Sequence, residues 1–162
     1  MTRNRRPLAV FDLDNTLSDT AHRQRFLERK PRDWDAFFAA APQDPPLAEG
    51  VRLCREAAGD CDVVYLTGRP ERCREDTRAW LAAHGLPEGP VHMRRDHDRR
   101  PARVTKLEVL RRLSAAREVR MLVDDDELVC DAAERAGYRV LRARWATDST
   151  ALEEAQEKEG RT

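Results

Sequence analysis

The chain has 162 residues, the length of a single domain with one hydrophobic core, so two catalytic domains are excluded. Thirty Lys and Arg residues balance thirty Asp and Glu residues, and this balance excludes a global attraction to nucleic acid or anionic lipid. No apolar run approaches the roughly 20 residues that a membrane span needs.

The apolar runs predict strands that alternate with helices. Short unbroken apolar segments, typical of strands buried on both faces, lie at residues 8–11, 63–66 and 121–123, and further strands are predicted near 91–93 and 139–143. Between these segments, apolar residues recur with helical periodicity. We therefore predict an α/β fold, a three-layer Rossmann-like parallel sheet with right-handed crossovers.

An insert of about residues 20–46 interrupts this alternation after the first strand. It contains two short helical segments, and we interpret it as a small helical cap over the carboxyl end of that strand. Residues 1–7 are predicted to be a flexible basic arm, residues 8–147 the folded domain, and residues 148–162 an acidic tail that frays.

Acidic residues follow two of the predicted strands. Asp12 and Asp14 come after the first strand, and Asp124, Asp125 and Asp126 come after the fourth. The carboxyl ends of parallel strands meet at one edge of a sheet, where ligands bind. Carboxylates crowded there would repel one another unless a divalent cation lay among them, and oxygen ligands favour Mg²⁺. The sequence therefore predicts a magnesium site.

A simpler interpretation of these aspartates is that they are local structural residues. Asp12 and Asp14 would then form a turn and a helix cap, and the Asp triplet would cap a helix that begins near Glu127. A calcium loop of the EF-hand type does not fit, because Leu17 stands where the glycine of the sharp turn should be and Arg23 where the bidentate Glu should be.

The segment Asp12–Thr16 resembles the D-x-D-x-T signature of the haloacid dehalogenase (HAD) superfamily. The remaining motifs follow in that superfamily's order: Thr67 after the second strand, Lys106 at a helix start, and Asp124-Asp125 after the fourth strand. Receiver domains of two-component systems also combine clustered Asp, a Thr and a Lys. In them, however, the paired Asp follows the first strand and the Lys the last, an order that this chain lacks.

The resemblance implies a role for each of these residues. Asp12 would be the nucleophile that carries the phosphoryl group, and Asp14 would act as general acid and base. Thr67 would bind a phosphate oxygen, and Lys106 would neutralise phosphate charge. The resemblance also implies four Mg²⁺ ligands: Asp12, Asp14, Asp124 and Asp125.

Within the superfamily, the chain looks most like the 3′-phosphatase domain of phage-type polynucleotide kinase/phosphatases. This resemblance covers roughly residues 8–141, and it includes F-D-L-D-N-T-L-S-D-T-x-H-R at 11–23 and L-T-G-R at 66–69. It implies that Arg23, Arg69 and Arg94 bind substrate phosphate, and that Gly68 lets the backbone approach the ligand. Three positions depart from the family pattern: Asn15 replaces Gly, Ala102 replaces Asp, and Asp126 replaces Arg.

A basic stretch supports a polynucleotide substrate. Residues 94–106 carry six Lys or Arg residues and two Asp residues, and this lip could follow a phosphate backbone while Trp34 or Phe37 stacks on a base. The alternatives are an ordinary solvated loop and aromatic residues that pack the insert. No G-x-x-x-x-G-K-[ST] stretch is present, so a 5′-kinase, or a ligase, would have to be a separate partner.

We thus expect a Mg²⁺-dependent phosphomonoesterase that acts through an aspartyl-phosphate and removes 3′-phosphates from polynucleotide ends. The alternatives are a phosphatase for nucleotides or small phosphorylated metabolites, and a catalytically silent binding module. The four cysteines contain no C-x-x-C pair, and free thiols fit a cytoplasmic location with no membrane partner.

Overall fold

The computed structural model describes residues 5–147 and 150–162. Most of the predicted basic arm, residues 1–4, lies outside the described residues, as do residues 148–149 of the tail. The strands are β1 (Leu8–Phe11), β2 (Asp62–Pro70), β3 (Val91–Arg94), β4 (Val119–Asp124) and β5 (Val140–Arg142). The α-helices are α1 (Arg25–Glu28), α2 (Trp34–Ala39), α3 (Ala48–Ala57), α4 (Arg74–Ala83), α5 (Ala102–Ala116), α6 (Glu127–Arg135) and α7 (Thr150–Glu154).

The five strands form one parallel sheet with the order β3-β2-β1-β4-β5. The alternating side chains of β1 feed two separate cores: Ala9 and Phe11 pack with α3 and α4 on one face, and Leu8 and Val10 pack with α5 and α6 on the other. The predicted three-layer α/β fold is therefore confirmed. β1 is central, so its carboxyl end lies between those of β2 and β4.

The insert packs as a cap with its own small core. Trp34, Phe37 and Phe38 stack edge-on and face-on with ring centroids 5.5–5.8 Å apart and are buried together with Leu27. These rings are therefore packing residues, and the expectation that Trp34 or Phe37 stacks on a base is wrong in this structure.

The acidic tail does not fray within the described residues. Helix α7 is followed by a π-helical turn over Ala155–Glu159, and Leu152 and Ala155 complete the core of the cap with no exposed surface. Burial of these two apolar side chains against the aromatic rings favours docking of the tail on the cap, which the acidic composition of the tail did not predict. Among the described residues, no helix is long and apolar enough to cross a membrane.

Candidate active site

The site is built around Asp12, which directly follows the central strand β1. Its backbone N–H donates to the carbonyl of Val123 at 2.9 Å, which continues the pairing with β4. One carboxylate oxygen accepts from Thr16 Oγ1 at 2.9 Å, and the other accepts from Lys106 Nζ at 2.8 Å. Asp12 is 2% exposed, so the protein holds a buried carboxylate in place at the carboxyl edge of the sheet.

Lys106 connects this carboxylate to the end of β4. It projects from the second turn of α5, and its ammonium also donates to Asp124 Oδ2 at 2.7 Å. Burial lowers the pKa of Lys106, but the charges of Asp12 and Asp124 outweigh burial and raise the pKa above its usual value. The lysine therefore remains a cation at the centre of the site.

Three carboxylates meet beside this lysine. Oxygen atoms of Asp12, Asp124 and Asp125 lie within 4.8 Å of one another, and Asp125 Oδ1 is buried with no hydrogen-bond partner among the described residues. Burial, followed by the charge of Asp12, raises the pKa of both Asp124 and Asp125. When all three carboxylates are ionised, one ammonium leaves two negative charges uncompensated, and an all-oxygen donor set with one unused oxygen fits Mg²⁺.

The structure does not bring the fourth predicted ligand, Asp14, into this group. The Asp14 carboxylate accepts from Arg23 Nη2 at 2.7 Å and from Arg69 Nη2 at 2.6 Å. Burial raises the pKa of Asp14, but the charges of Arg69 and Arg23 outweigh burial and hold the pKa well below its usual range. Two buried guanidinium groups thus hold Asp14 as an anion on the cap side of Asp12.

Asp44 is the main site residue that sequence reasoning missed. It ends the insert, is 1% exposed, and accepts from Arg23 Nε and Nη2, both at 2.8 Å. Arg69 Nη2 lies 3.4 Å from it, and His22 Nε2 lies 2.7 Å from it. The one signal in the sequence was an acidic residue at the Pro-rich exit of the insert, and that signal has no characteristic spacing.

The segment Thr67–Arg69 belongs to the end of β2 rather than to a turn after it. Thr67 is 3% exposed, and its hydroxyl accepts from the backbone N–H of Arg69 at 3.1 Å. Arg94, also buried, donates from Nε to the carbonyl of Gly68 at 3.2 Å and from Nη1 to the carbonyl of Arg100 at 2.7 Å. The structure therefore buries the predicted substrate residues Arg23, Arg69 and Arg94 around Asp14 and Gly68, and carboxylates engage both Arg23 of the insert and Arg69 of β2.

Two of the three departures from the family pattern have a structural role. Asn15 has a φ of 62°, a left-handed conformation that Asn tolerates better than most residues other than Gly. Asp126 caps α6, because its side chain accepts from the backbone N–H groups of Leu128 and Val129. The simpler interpretation of the triplet is therefore correct for Asp126, while Asp124 and Asp125 face Asp12.

Comparisons with known proteins agree with this geometry. The family model described as the polynucleotide kinase PNKP phosphatase domain matches residues 7–146. No curated protein gives a significant sequence match. A chain in the structure of the Pnkp1/Rnl/Hen1 complex is 23% identical, with a TM-score of 0.73 over 90% of this chain and 48% of that chain. A chain in the structure of the Pnkp1/Rnl/Hen1 RNA repair complex is 22% identical, with a TM-score of 0.74 over 91% of this chain and 46% of that chain.

A class C acid phosphatase from Bacillus anthracis with tungstate bound shares the fold at 13% identity, with a TM-score of 0.63 over 95% of this chain and 78% of that chain. The chain spans about half the length of the two chains from the Pnkp1/Rnl/Hen1 structures. The family model covers most of the sequence, from the residue before β1 to the loop after β5. The chain therefore belongs to the family of the polynucleotide kinase PNKP phosphatase domain and is a phosphatase of the HAD superfamily.

Proposed function

We propose that this phosphatase removes 3′-phosphates from polynucleotide ends in a Mg²⁺-dependent reaction that proceeds through a phosphoryl group on Asp12. The observation that carries this proposal is the position of Lys106 Nζ, 2.8 Å from Asp12 and 2.7 Å from Asp124. A buried cation between the nucleophile and the metal-ligand group is what a phosphate dianion needs to approach an anionic carboxylate.

Asp12, Asp124 and Asp125 would hold the Mg²⁺ ion. When bound, the ion would neutralise phosphate oxygens and the excess negative charge of the three carboxylates. Asp14, which the arginines hold away from this group, would not contribute its side chain. The fit rests on the three converging carboxylates and on the unused buried oxygen of Asp125.

In the first half of the reaction, a carboxylate oxygen of Asp12 attacks phosphorus, and the bond from phosphorus to the ribose oxygen breaks. Asp14 is an anion in the free protein, so it takes up a proton from solvent as substrate binds and then gives that proton to the leaving oxygen. Lys106 and Thr67 hold the transferred phosphoryl oxygens, and Thr16 keeps the Asp12 carboxylate oriented through its hydrogen bond. The product of this half is a mixed anhydride on Asp12 and a free 3′-hydroxyl.

In the second half, water attacks the same phosphorus, and the bond to the Asp12 oxygen breaks. Asp14 takes a proton from the attacking water and thereby recovers the proton that it gave up. The Arg23 and Arg69 guanidinium groups stabilise the Asp14 anion, so they make Asp14 a stronger acid in the first half and a weaker base in this one. Inorganic phosphate leaves, and Asp12 returns to its carboxylate form.

The polynucleotide substrate is supported by the family and by exposed positive charge. Arg95 and Arg99 are exposed on the loop after β3, which directly follows Arg94. Arg99 donates to the backbone carbonyl of Asp96 at 2.6 Å, and the two side chains place positive charge where a phosphate backbone would pass. Two of the structural relatives come from Pnkp1/Rnl/Hen1 complexes, one of them described as an RNA repair complex. We therefore propose that a separate kinase or ligase acts with this chain.

We propose a cytoplasmic location, because the cysteine thiols form no disulfide among the described residues. Cys54, Cys61, Cys73 and Cys130 are all free in the part of the chain that the structure describes, as a reducing compartment requires.

A smaller substrate, a nucleotide or a phosphorylated metabolite, is the second candidate. The observation in its favour is that part of the basic lip is already paired: Arg100 contacts Asp98 and Glu108, and Arg103 contacts Glu157. Activity on an extended strand should fall steeply as salt rises, whereas activity on a small metabolite should change little.

The test is a substrate panel with matched variants. The wild type should release phosphate from 3′-phosphorylated oligonucleotides faster than from 5′-phosphorylated ones or mononucleotides. Asp12→Asn should abolish turnover without unfolding, and Asp35→Asn, whose side chain is 96% exposed, should have no effect. Preference for mononucleotides would overturn the proposed substrate, and substantial turnover by Asp12→Asn would overturn the covalent mechanism.

A further inference from the structure

Asp44 belongs to the buried charge network on the cap side of the site, but the proposed reaction gives it no role. Arg23 bridges Asp14 and Asp44 through the same Nη2 atom, at 2.7 Å and 2.8 Å. Arg69 bridges the same two carboxylates at 2.6 Å and 3.4 Å. Two arginines and two aspartates thus form a closed square, and in it Asp44 lies diagonally opposite Asp14.

Asp44 is also anchored to the protein from three sides. Its backbone carbonyl accepts from Trp80 Nε1 of α4 at 2.8 Å, its backbone N–H donates to Ala41 at 3.0 Å, and His22 contacts its side chain. The Asp14 carboxylate, by contrast, contacts the two arginines, Ser18 and Thr162. Asp44 is therefore the member of the square that also contacts α4 and His22.

We propose that Asp44 is a positioning residue that fixes the Arg23 and Arg69 guanidinium groups and, through them, aims the Asp14 carboxylate at the leaving oxygen. Removing its charge frees both arginines to shift from their present places beside Asp14, for example onto the substrate phosphate, and Asp14 shifts with them. Proton delivery to the leaving group is the step that then suffers, while attack by Asp12 is preserved.

The test compares leaving groups. 4-Nitrophenyl phosphate loses a stable phenolate that needs no proton, whereas a 3′-phosphorylated oligonucleotide loses an alkoxide that does. Asp44→Asn should lower kcat for the oligonucleotide about tenfold more than for 4-nitrophenyl phosphate. Asp35→Asn, an exposed substitution in the same insert, should leave the ratio unchanged.

Damage to the fold alone would lower both activities equally and leave their ratio unchanged. An unchanged ratio would therefore overturn this inference. The inference rests on the proposed role of Asp14, so Asp14→Asn is measured in parallel. If Asp14→Asn shows no dependence on the leaving group, the proposed role of Asp14 fails. If Asp14→Asn shows it and Asp44→Asn does not, only the role of Asp44 fails.

An independent observation concerns the C-terminal segment, residues 150–162. Its residue Thr162 is 2% exposed in the mouth of the site, with its hydroxyl 3.5 Å from Asp14 Oδ2 and its carbonyl 3.4 Å from Arg94 Nη2. A Cβ atom on Gly68 would lie 2.1 Å from the Thr162 carbonyl carbon. The close backbone approach that Gly68 permits is thus made by Thr162, where a ligand was expected.

The rest of the segment holds this end in place. Glu154 and Glu159 pair with Arg32 of the cap, and Glu157 pairs with Arg103 on α5. Arg161 lies over the Trp34 ring at 5.3 Å. Carboxylates of this segment therefore pair with an arginine of the insert and with an arginine of α5.

We also propose that residues 150–162 act as a built-in competitor that substrate must displace from the site proposed above. A site that is open for only a tenth of the time binds its ligand about tenfold more weakly than a free one. Deleting residues 160–162, which leaves Leu152 and Ala155 in the cap core, should then raise kcat/KM about tenfold through a lower KM.

An unchanged or lower kcat/KM after deletion would overturn this proposal, because the segment would then build the site rather than cover it. 4-Nitrophenyl phosphate is used alongside a 3′-phosphorylated oligonucleotide. If only the aryl phosphate is hydrolysed, the proposed substrate fails while the effect of the deletion is still measured.

Discussion

Lys106 and Asp12 are 94 positions apart in the chain, yet Lys106 Nζ and Asp12 Oδ1 lie 2.8 Å apart. The contact joins α5 to the end of the central strand, and the second contact of Lys106, with Asp124, joins both to β4. One buried side chain therefore holds together α5, the end of β1 and the end of β4.

Lys106→Met should remove this cation while keeping most of the side-chain volume. We expect kcat/KM to fall about 100-fold or more, because phosphate charge loses a fixed counter-charge. In EDTA the free energy of unfolding should also fall by about 3–5 kcal/mol, because Asp12 and Asp124 are left buried without their partner. Steady-state kinetics and urea unfolding measure the two effects. Lys30→Met, at an exposed position, is the control, and equal unfolding midpoints for the two variants would contradict the structural role.

Mg²⁺ should stabilise the folded protein, because it relieves the repulsion among Asp12, Asp124 and Asp125. At about 100 times its dissociation constant, a ligand of the folded state adds about 2.7 kcal/mol to the free energy of unfolding. Thermal unfolding in EDTA and in Mg²⁺ would show this as a rise in Tm. Asp125→Asn should reduce the rise at a given Mg²⁺ concentration, whereas Asp35→Asn should keep it. A Tm that does not depend on Mg²⁺ would argue against the metal site.

The sequence was sufficient to predict the sheet and the residues that its strands deliver. Asp12, Thr67 and Asp124 each lie at or just beyond the end of a buried apolar run, so the parallel topology alone brings them to one edge. Lys106 could be added because its position along the chain matched the order of the HAD motifs.

The cap and the tail could not be predicted in the same way. The contacts of Asp44 with Arg23 and Arg69 span 21 and 25 residues and follow no periodic pattern. Asp14 is two residues from Asp12, and this spacing suggested that both would bind the metal ion. It could not show that the Asp14 carboxylate is instead bound by two buried arginines. In the tail, Leu152 and Ala155 are isolated apolar residues among acidic ones, so their burial depends on aromatic rings more than a hundred residues away.

Gly50→Ala should disturb the loop after β1, which contains Asp12 and Thr16. Gly50 lies in α3, and a Cβ atom there would be 1.9 Å from the backbone oxygen of Thr16, so helix and loop would have to separate. Overpacking of this kind typically costs about 1–3 kcal/mol, and kcat should fall as well because the Thr16 hydroxyl orients Asp12. Urea unfolding and kinetics would be compared with Glu49→Ala, an exposed change in the same helix. A Gly50→Ala protein as stable and as active as Glu49→Ala would show that the close approach is unimportant.

Asp126 should contribute to stability through its cap on α6 rather than through its charge. Its Oδ1 atom accepts from the backbone N–H of Leu128 at 2.9 Å and from that of Val129 at 3.3 Å, and burial raises its pKa. Asp126→Ala removes both bonds and should lower the free energy of unfolding by about 1 kcal/mol. Asp126→Asn keeps an oxygen acceptor without the charge and should remain within about 0.5 kcal/mol of the wild type. Equal losses for the two variants, measured by urea unfolding, would mean that the negative charge at the start of α6, beside Lys106, is what the protein needs.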